Sequence, residues 1–482
     1  MNALFDGIYG VITVLNNYLW SYILIIMLVV LGIYFTFRTK FVQFRYFTEM
    51  FKLLTDGDAN KNAKKNGKIS SFQAFCISTS SRVGTGNIAG IALAIAGGGP
   101  GAIFWMWLMA LIGSASSFVE STLAQIYKVK NGTAYKGGPA YYIEQGLNMR
   151  WLGIIFTILI SITYGFVFNS VQSNTLSLAF NNVFGVGFSV IGIVLAVLTG
   201  CVIFGGVHRV AKVSEVIVPV FAGLYILVAI GIVIFNIGSV PAVIADIVSS
   251  AFHPKEMIMG TGAGFMTVLL TGVKRGLFSN EAGMGSAPNA AATAEVSHPV
   301  KQGLIQTLGV FTDTLIICSC TAFMVLLYDG YATSSSEGIA LAQEALSSHI
   351  GPIGGMFIAV CIFLFAFSSI VGNYYYGESN IQFVTDKKSV LNVYRALVCG
   401  MVFVGAIAKI QFVWDMADLF MAFMAIINMI VIAKLGKFAY IALADYTKQK
   451  KEGVKNPVFY VDGIEGLENV EYWHKEQKKE EA

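Results

Sequence analysis

Charge is what this sequence has least of. Only 12% of its 482 residues are Asp, Glu, Lys or Arg, against roughly 25% in soluble domains. With 56% hydrophobic residues and a mean hydropathy of +0.68, that scarcity excludes a soluble enzyme, a disordered chain and a nucleic-acid binder. Proline is scarce as well, nine residues against 50 glycines. The six cysteines (76, 201, 318, 320, 361 and 399) lie in apolar stretches without a CxxC pair. They read as small buried hydrophobes, not as disulfides or a metal cluster. The five histidines fall in loops or at segment ends, and neither HExxH nor GxxxxGK[ST] occurs. The sequence thus offers no machinery for metal-assisted or ATP hydrolysis. No Lys or Arg precedes the first apolar run and no small-residue cleavage site follows it, so that run reads as a retained span.

What is present is apolar length. From Trp151 to His208 there is no charged side chain at all, so the helices there have no polar face to turn to water. Spans of about 20 apolar residues are predicted at 17–37, 70–97, 101–127, 151–178, 185–206, 213–236, 259–281, 304–328, 353–375, 391–409 and 412–435. With the N-terminus placed outside, 29 of the 32 basic residues fall on the inner side; outside there are only Lys255 and Lys409, and Arg82 lies within a span. That asymmetry predicts a multi-pass protein of the plasma membrane with a cytoplasmic C-terminus. The basic run at Lys61, Lys64, Lys65 and Lys68 reads as an inner loop, and the Lys/Glu-rich end after Lys448 as a solvated tail.

Two segments depart from the apolar pattern. Segment 70–97 places Ser78, Thr79, Ser80, Ser81, Arg82, Gly84, Thr85, Gly86 and Asn87 near mid-membrane. Helix packing through small residues accounts for Gly and Ser, but not for Arg82 and Asn87 beside Gly-x-Gly. An interrupted helix accounts for all of them: the break frees N–H groups for a carboxylate and carbonyls for a cation, and such backbone is tolerated where it lines a cavity. Segment 259–281 repeats the theme, with Gly260, Gly262 and Gly264, then Gly276, Phe278, Ser279 and Asn280 expected at or near its break. Each broken segment opens a block of five spans, 70–236 and 259–435, joined by an outer connection at 237–258. Residues 1–69 carry an extra N-terminal helix and a loop, and 436–482 form the tail. An odd block size inverts the second block, which is the pointer to a secondary transporter with a midplane site. A channel, built as a ring around an axis, fits such a repeat poorly.

At these residues the chain resembles the alanine or glycine:cation symporters. The matching stretches are Gly84 to Gly90 (Gly-Thr-Gly-Asn-Ile-Ala-Gly), Gly137 to Ile143 (Gly-Gly-Pro-Ala-Tyr-Tyr-Ile) and Gly276 to Pro288 (Gly-Leu-Phe-Ser-Asn-Glu-Ala-Gly-Met-Gly-Ser-Ala-Pro). The resemblance runs from about Ala3 to Tyr446. It implies an all-α membrane protein of eleven helices: the five-plus-five inverted repeat of the bacterial leucine transporter behind one extra helix. It also implies inward sodium symport of a small neutral amino acid, alanine or glycine, by a functional monomer without an organic cofactor.

The zwitterion needs N–H groups and hydroxyls for its carboxylate, and carbonyl or amide oxygens for its ammonium. Thr85, Gly86 and Asn87 are candidates through their backbone, with Gln172, Phe278, Ser279, Asn280, Ser369 and Asn373 around them. Gln172 and Phe278 read equally well as helix-packing residues. Sodium suits hard oxygens. The likeness to leucine-transporter carriers implies the carbonyls of Ser80, Val83 and Phe365 with the hydroxyls of Ser368 and Ser369, although such serines also bond back to their own helix. Asn373 stands where some alanine-selective members carry a bulky aromatic, which admits glutamine as an alternative substrate. Protons are the alternative ion. Arg82, Glu120, Lys274 and Glu281, with Arg275, are expected to form a cytoplasmic gate or a static ion-pair brace.

Overall fold

The computed structural model describes residues 2–132, 134–252 and 264–475. Lys255, Gly260 and Gly262 lie outside the described residues, as does the chain after Lys475. In chain order the helices that build the bundle are α1 (Tyr9–Arg38), α2 (Ser71–Arg82), α3 (Ile91–Gly98), α4 (Gly101–Ile126), α5 (Arg150–Phe184), α6 (Phe188–Ile203), α7 (Gly206–Phe235), α8 (Phe265–Asn280), α9 (Ala287–Thr293), α10 (Pro299–Leu326), α11 (Ile353–Val384), α12 (Lys388–Ile407) and α13 (Ile410–Lys451). Eight of them are long and apolar enough to cross a membrane: α1, α4, α5, α7, α10, α11, α12 and α13. The others are α6, of 16 residues, and two interrupted pairs, α2/α3 and α8/α9.

Several spans outrun their sequence-based bounds. Helix α13 continues to Lys451 instead of ending near residue 435. At 1.5 Å per residue its 42 residues reach about 63 Å, beyond the ~45 Å of a bilayer with its headgroups. Hydropathy marks only the part in hydrocarbon. The polar end beyond it is helical because it packs on other parts of the chain, with Tyr446 and Lys450 on Glu49 and Asp445 on His298. Shorter helices at Val42–Arg45, Phe47–Leu54, Pro139–Leu147, Val240–Phe252 and Ile339–Ile350 fill the connections. A small hairpin, β1 (Val129–Asn131) against β2 (Ala134–Lys136), is a departure from an all-helical chain.

The pattern of burial follows the breaks. Along α4 every residue from Gly113 to Ile126 is buried, including Ser114, Ser116, Ser117, Ser121 and Thr122. Small hydroxyl residues let neighbouring backbones approach, and here they back the second interruption.

The tail is not the solvated end its composition predicts. Phe459, Val461, Val470, Tyr472 and Trp473 are buried. The Phe459 N–H donates to the Ser297 carbonyl at 3.0 Å, and the Trp473 indole donates to the Gln125 carbonyl at 2.8 Å. The Lys128 ammonium sits over the Tyr472 and Trp473 rings at 4.6 and 4.9 Å. Three aromatic residues, Phe459, Tyr472 and Trp473, scattered among Lys and Glu carry this packing, and averaged composition hides them. Trp473 has φ +134°, a conformation a bulky side chain keeps only when its surroundings hold it. Replacing this anchor, Trp473→Ala, is expected to make residues 456–475 susceptible to limited proteolysis while far-ultraviolet circular dichroism stays unchanged. Wild-type resistance in the variant would show that the indole does not hold the strap.

Candidate substrate and cation site

Helix α2 starts with a capping box: the Gln73 N–H donates to Ser70 Oγ, and the Ser70 N–H to Gln73 Oε1. It ends where a side chain competes with the helix for its own backbone. The Gly84 N–H donates to Asn87 Oδ1 at 2.8 Å, and the Thr85 N–H to Gln172 Oε1 of α5 at 2.9 Å. Val83 is extended (φ −77°, ψ 93°), and the chain resumes as a π-helical turn at Gly86–Gly90. Glycine is required by close approach here. A Cβ on Gly84 would lie 2.3 Å from Ser369 Oγ, and one on Gly86 would lie 2.9 Å from Phe278 Cδ1.

The second interruption lies at 281–286, just beyond the expected Gly276 to Asn280, which complete α8 as regular helix. Glu281, Gly283 and Gly285 have φ of +57°, +83° and +83°, so the break passes three times through positive φ, twice at glycine. Glu120 on α4 receives the freed donors. Its carboxylate accepts from the N–H groups of Gly283 and Gly285, both at 3.1 Å, and from Asn428 Nδ2 at 2.7 Å. Asn428 in turn donates to the Gly283 carbonyl at 2.9 Å.

Around the first break the sequence-derived residues come together. Ser369 Oγ donates to the Val83 carbonyl at 3.1 Å, and Ser368 Oγ to the Phe365 carbonyl of its own helix at 2.9 Å. Ser80 faces the same stretch of α11, since a Cβ on Gly372 would lie 2.6 Å from its Oγ. Its hydroxyl donates to the Ile77 carbonyl and accepts from Ser214. The Phe278 ring lies 4.8 Å from Phe168 and 4.8 Å from Trp414, over Gly86.

Two predicted substrate residues have their polar atoms committed elsewhere. Asn280 Oδ1 accepts from the Ala282 N–H and so caps α8. Asn373 Oδ1 lies 2.6 Å from Ser81 Oγ, and its Nδ2 donates to Asn169 Oδ1 at 3.0 Å, joining α11, α2 and α5. The Thr85 N–H, a candidate for the substrate carboxylate, is held by Gln172.

Asp313 is the buried group that sequence reading did not single out. It sits in the π-helical turn Phe311–Cys318 of α10. Asn87 Nδ2 donates to its Oδ1 at 2.6 Å, and Ser279 and Thr314 donate to its Oδ2 at 2.7 and 2.9 Å. It therefore joins both interrupted helices. Its signal was available: a lone carboxylate within an otherwise apolar span is costly unless it has a task.

The expected gate divides in two. Arg82, Glu120 and Glu281 gather at the breaks: Ser81 Oγ lies 2.9 Å from Glu281 Oε1, and the Arg82 guanidinium, bonded to Gln306, is the cation whose charge faces Glu120, Glu281 and Asp313. Lys274 is not among them. With Arg275 it pairs to Asp418 of α13, at 3.8 and 2.6 Å, and Arg275 lies 4.7 Å over Trp414. The reason is helical rise. Lys274 precedes Glu281 by seven residues, about 10 Å along α8. Both basic residues thus belong to the membrane helix, not to the inner loop in which their charge was counted.

Two helices interrupted at mid-length, their backbone satisfied by neighbouring helices and their gaps lined by hydroxyls and carboxylates, define a secondary transporter and not an enzyme. The chain belongs to the sodium:alanine symporter family, whose model matches residues 6–461. It is 55% identical to a probable sodium/glutamine symporter, GlnT, of Bacillus subtilis over 96% of this chain and 95% of that one. It is 54% identical to the amino-acid carrier protein AlsT of the same organism, with both chains covered fully. Among solved structures, MhsT in complex with L-phenylalanine shares the fold at a TM-score of 0.55, with 14% identity, 80% of this chain and 98% of that one.

The brace at the second break yields a direct expectation. In Glu120→Gln one amide oxygen must serve three donors, and the new N–H₂ faces backbone N–H groups. Leaving buried donors unmet costs about 1–3 kcal/mol, so both thermal stability in detergent and amino-acid uptake should fall. Unchanged stability and uptake would remove Glu120 from this role.

Proposed function

We propose that the protein carries a small neutral amino acid, alanine or glycine, inward with sodium by alternating access. The carrying observation is charge. Three fully or almost fully buried carboxylates, Glu120, Glu281 and Asp313, face one buried guanidinium, that of Arg82. Buried charge is stable only when compensated, so the site favours an added cation, sodium in this reading, with a proton on a carboxylate as its competitor. The oxygens of Val83, Phe365, Ser368 and Ser369 form one hard-donor group, with Ser80 beside them. Asp313 with the Ser279 and Thr314 hydroxyls forms another. Gly86, the Thr85 hydroxyl, which has no partner among the described residues, and the amide nitrogen of Gln172 supply the polar groups for the zwitterion beside them, under the Phe278 ring. A second reading, glutamine, is supported by the likeness to GlnT.

In this reading the chain spans a plasma membrane eleven times, with its N-terminus outside and its C-terminus in the cytoplasm. Blocks 70–236 and 259–435 are inverted repeats opened by α2/α3 and α8/α9, and the monomer is the functional unit. One sodium ion entering down 100 mV releases about 2.3 kcal/mol, and a tenfold gradient adds about 1.4 kcal/mol. Together they support roughly 500-fold accumulation at one-to-one coupling. Coupling arises because the cation and the zwitterion order the same interrupted backbone, so each tightens the other.

In proteoliposomes, uptake should require sodium over choline and be competed best by alanine or glycine; glutamine competing best would select the second reading. Asp313→Asn should raise the half-saturating sodium concentration tenfold or more with expression intact. Identical amino-acid affinity in sodium and in choline would overturn the scheme.

A further inference from the structure

A basic cavity lies well away from the interrupted helices, where the end of α1 meets the end of α13. It encloses about 500 Å³ and is lined by Arg38, Lys40, Arg45, Lys448 and Lys451, with Glu452 as its only acid among the described residues. None of the five cations makes an ion pair among the described residues. Arg38 lies 5.1 Å over the Tyr440 ring, and Arg45 reaches the Thr39 carbonyl. The nearby acid Glu49 is already engaged, by Lys450 at 2.6 Å and Tyr446 at 2.9 Å. Burial pushes its carboxyl upward, but those two partners outweigh burial and hold it below the usual carboxylate range. The cavity therefore carries uncompensated positive charge.

Its construction is specific. The chain reverses at Lys40 and Phe41, both left-handed, with φ of 57° and 58°. Such a conformation in two consecutive non-glycine residues is kept only where the surroundings impose it. The reversal is pinned by Gln43, which is buried and donates to Thr36 Oγ1 at 3.0 Å and to the Leu111 carbonyl at 3.3 Å. The turn holds Lys40 in the cavity wall, while Phe41 is 44% exposed.

Depth and neighbourhood select the ligand. Helix α1 runs 30 residues, about 45 Å, which matches a bilayer including its headgroups. Arg38 at its end thus stands in the headgroup layer. One residue before Arg45, Phe44 opens a second groove of about 420 Å³, which it shares with Phe47, Phe51, Leu308, Phe311 and Ile316. A cationic cavity at headgroup depth beside an aromatic groove at chain depth fits a molecule with a phosphate at one end and hydrocarbon at the other. Basic pockets of this kind between membrane helices recognise anionic headgroups.

We propose that this cavity binds the phosphate headgroup of an anionic phospholipid, whose acyl chains lie along the groove of Phe44, Phe47 and Phe51. The lipid thereby ties the extra helix α1 to the end of α13.

The test is native mass spectrometry and lipid titration of the full chain with phosphatidylglycerol, phosphatidylcholine and soluble glycerol phosphate. At about 1 kcal/mol per basic residue, Lys40→Gln with Lys448→Gln and Lys451→Gln should weaken phosphatidylglycerol binding on the order of a hundredfold, to the level of phosphatidylcholine. All three lysines are exposed, so the fold should survive, as an unchanged thermal transition would confirm. Lys61→Gln with Lys65→Gln and Lys455→Gln, exposed residues elsewhere, should leave the preference intact. The proposal is overturned if the cavity variant keeps its preference for phosphatidylglycerol, or if the control variant loses as much. It is overturned equally if glycerol phosphate binds as tightly as the lipid, since the aromatic groove would then contribute nothing.

Discussion

The structure depends on backbone groups being satisfied where a helix stops inside an apolar bundle. Each interruption frees N–H donors that hydrocarbon cannot solvate, at a cost of several kcal/mol apiece if left alone. The chain meets this with side chains borrowed from other helices. Gln172 of α5 takes the Thr85 N–H, and Glu120 of α4 takes those of Gly283 and Gly285. Because each donor group has one fixed acceptor, the breaks have one defined geometry. The hydroxyls and carbonyls beside them are therefore held by named partners instead of sampling a loop.

The same bonds decide which helices form the site. Asn87 closes the first break through Gly84 with its oxygen, and with its nitrogen it reaches Asp313 on α10 and Ser279 on α8. Ser81 lies between Glu281 at the second break and Asn373 on α11. A shift of α8 against α2 would have to break several buried polar contacts together. Buried networks of this kind behave as units, which suits an element that must occupy discrete states instead of drifting between them.

Much of this was legible in the residues. The interruption of segment 70–97 followed from Gly84, Gly86 and Asn87, because local competition for backbone bonds is a short-range property. The pairing of Ser369 with Val83 was reached only through family likeness, since nothing in spacing joins residues 286 positions apart. The second break was placed a few residues early: Gly276 looks like a breaker but packs against Met106 inside regular helix, while the φ values of Gly283 and Gly285 mark the true one. Lys274 lies with Asp418 and not at the breaks, a difference of depth that a count of charges along the chain does not carry. The packed tail stayed hidden because its aromatics act through loops far away in sequence, notably Gln125 and Ser297, which no local pattern reveals.

Asp313 joins these threads. A carboxylate at that depth is expensive, and three neutral donors soften the expense without cancelling its charge. The charge of Arg82 acts on all three such carboxylates, while its guanidinium bonds to Gln306 and pairs with none of them among the described residues. With all three ionised the site is electrostatically incomplete, and either sodium or a proton brings it nearer to balance. On the symport reading this is the physical origin of coupling: the conformation that brings α2, α8 and α10 together is favoured when a cation is present to be shared. The zwitterion that uses the same amides meets a framework already ordered, so its binding loses less entropy. The interruptions, the carboxylates and the borrowed acceptors are then parts of one arrangement, in which the backbone of the gap is fixed by its neighbours while a few buried groups, the Thr85 hydroxyl and part of the Arg82 guanidinium among them, are left without a partner among the described residues.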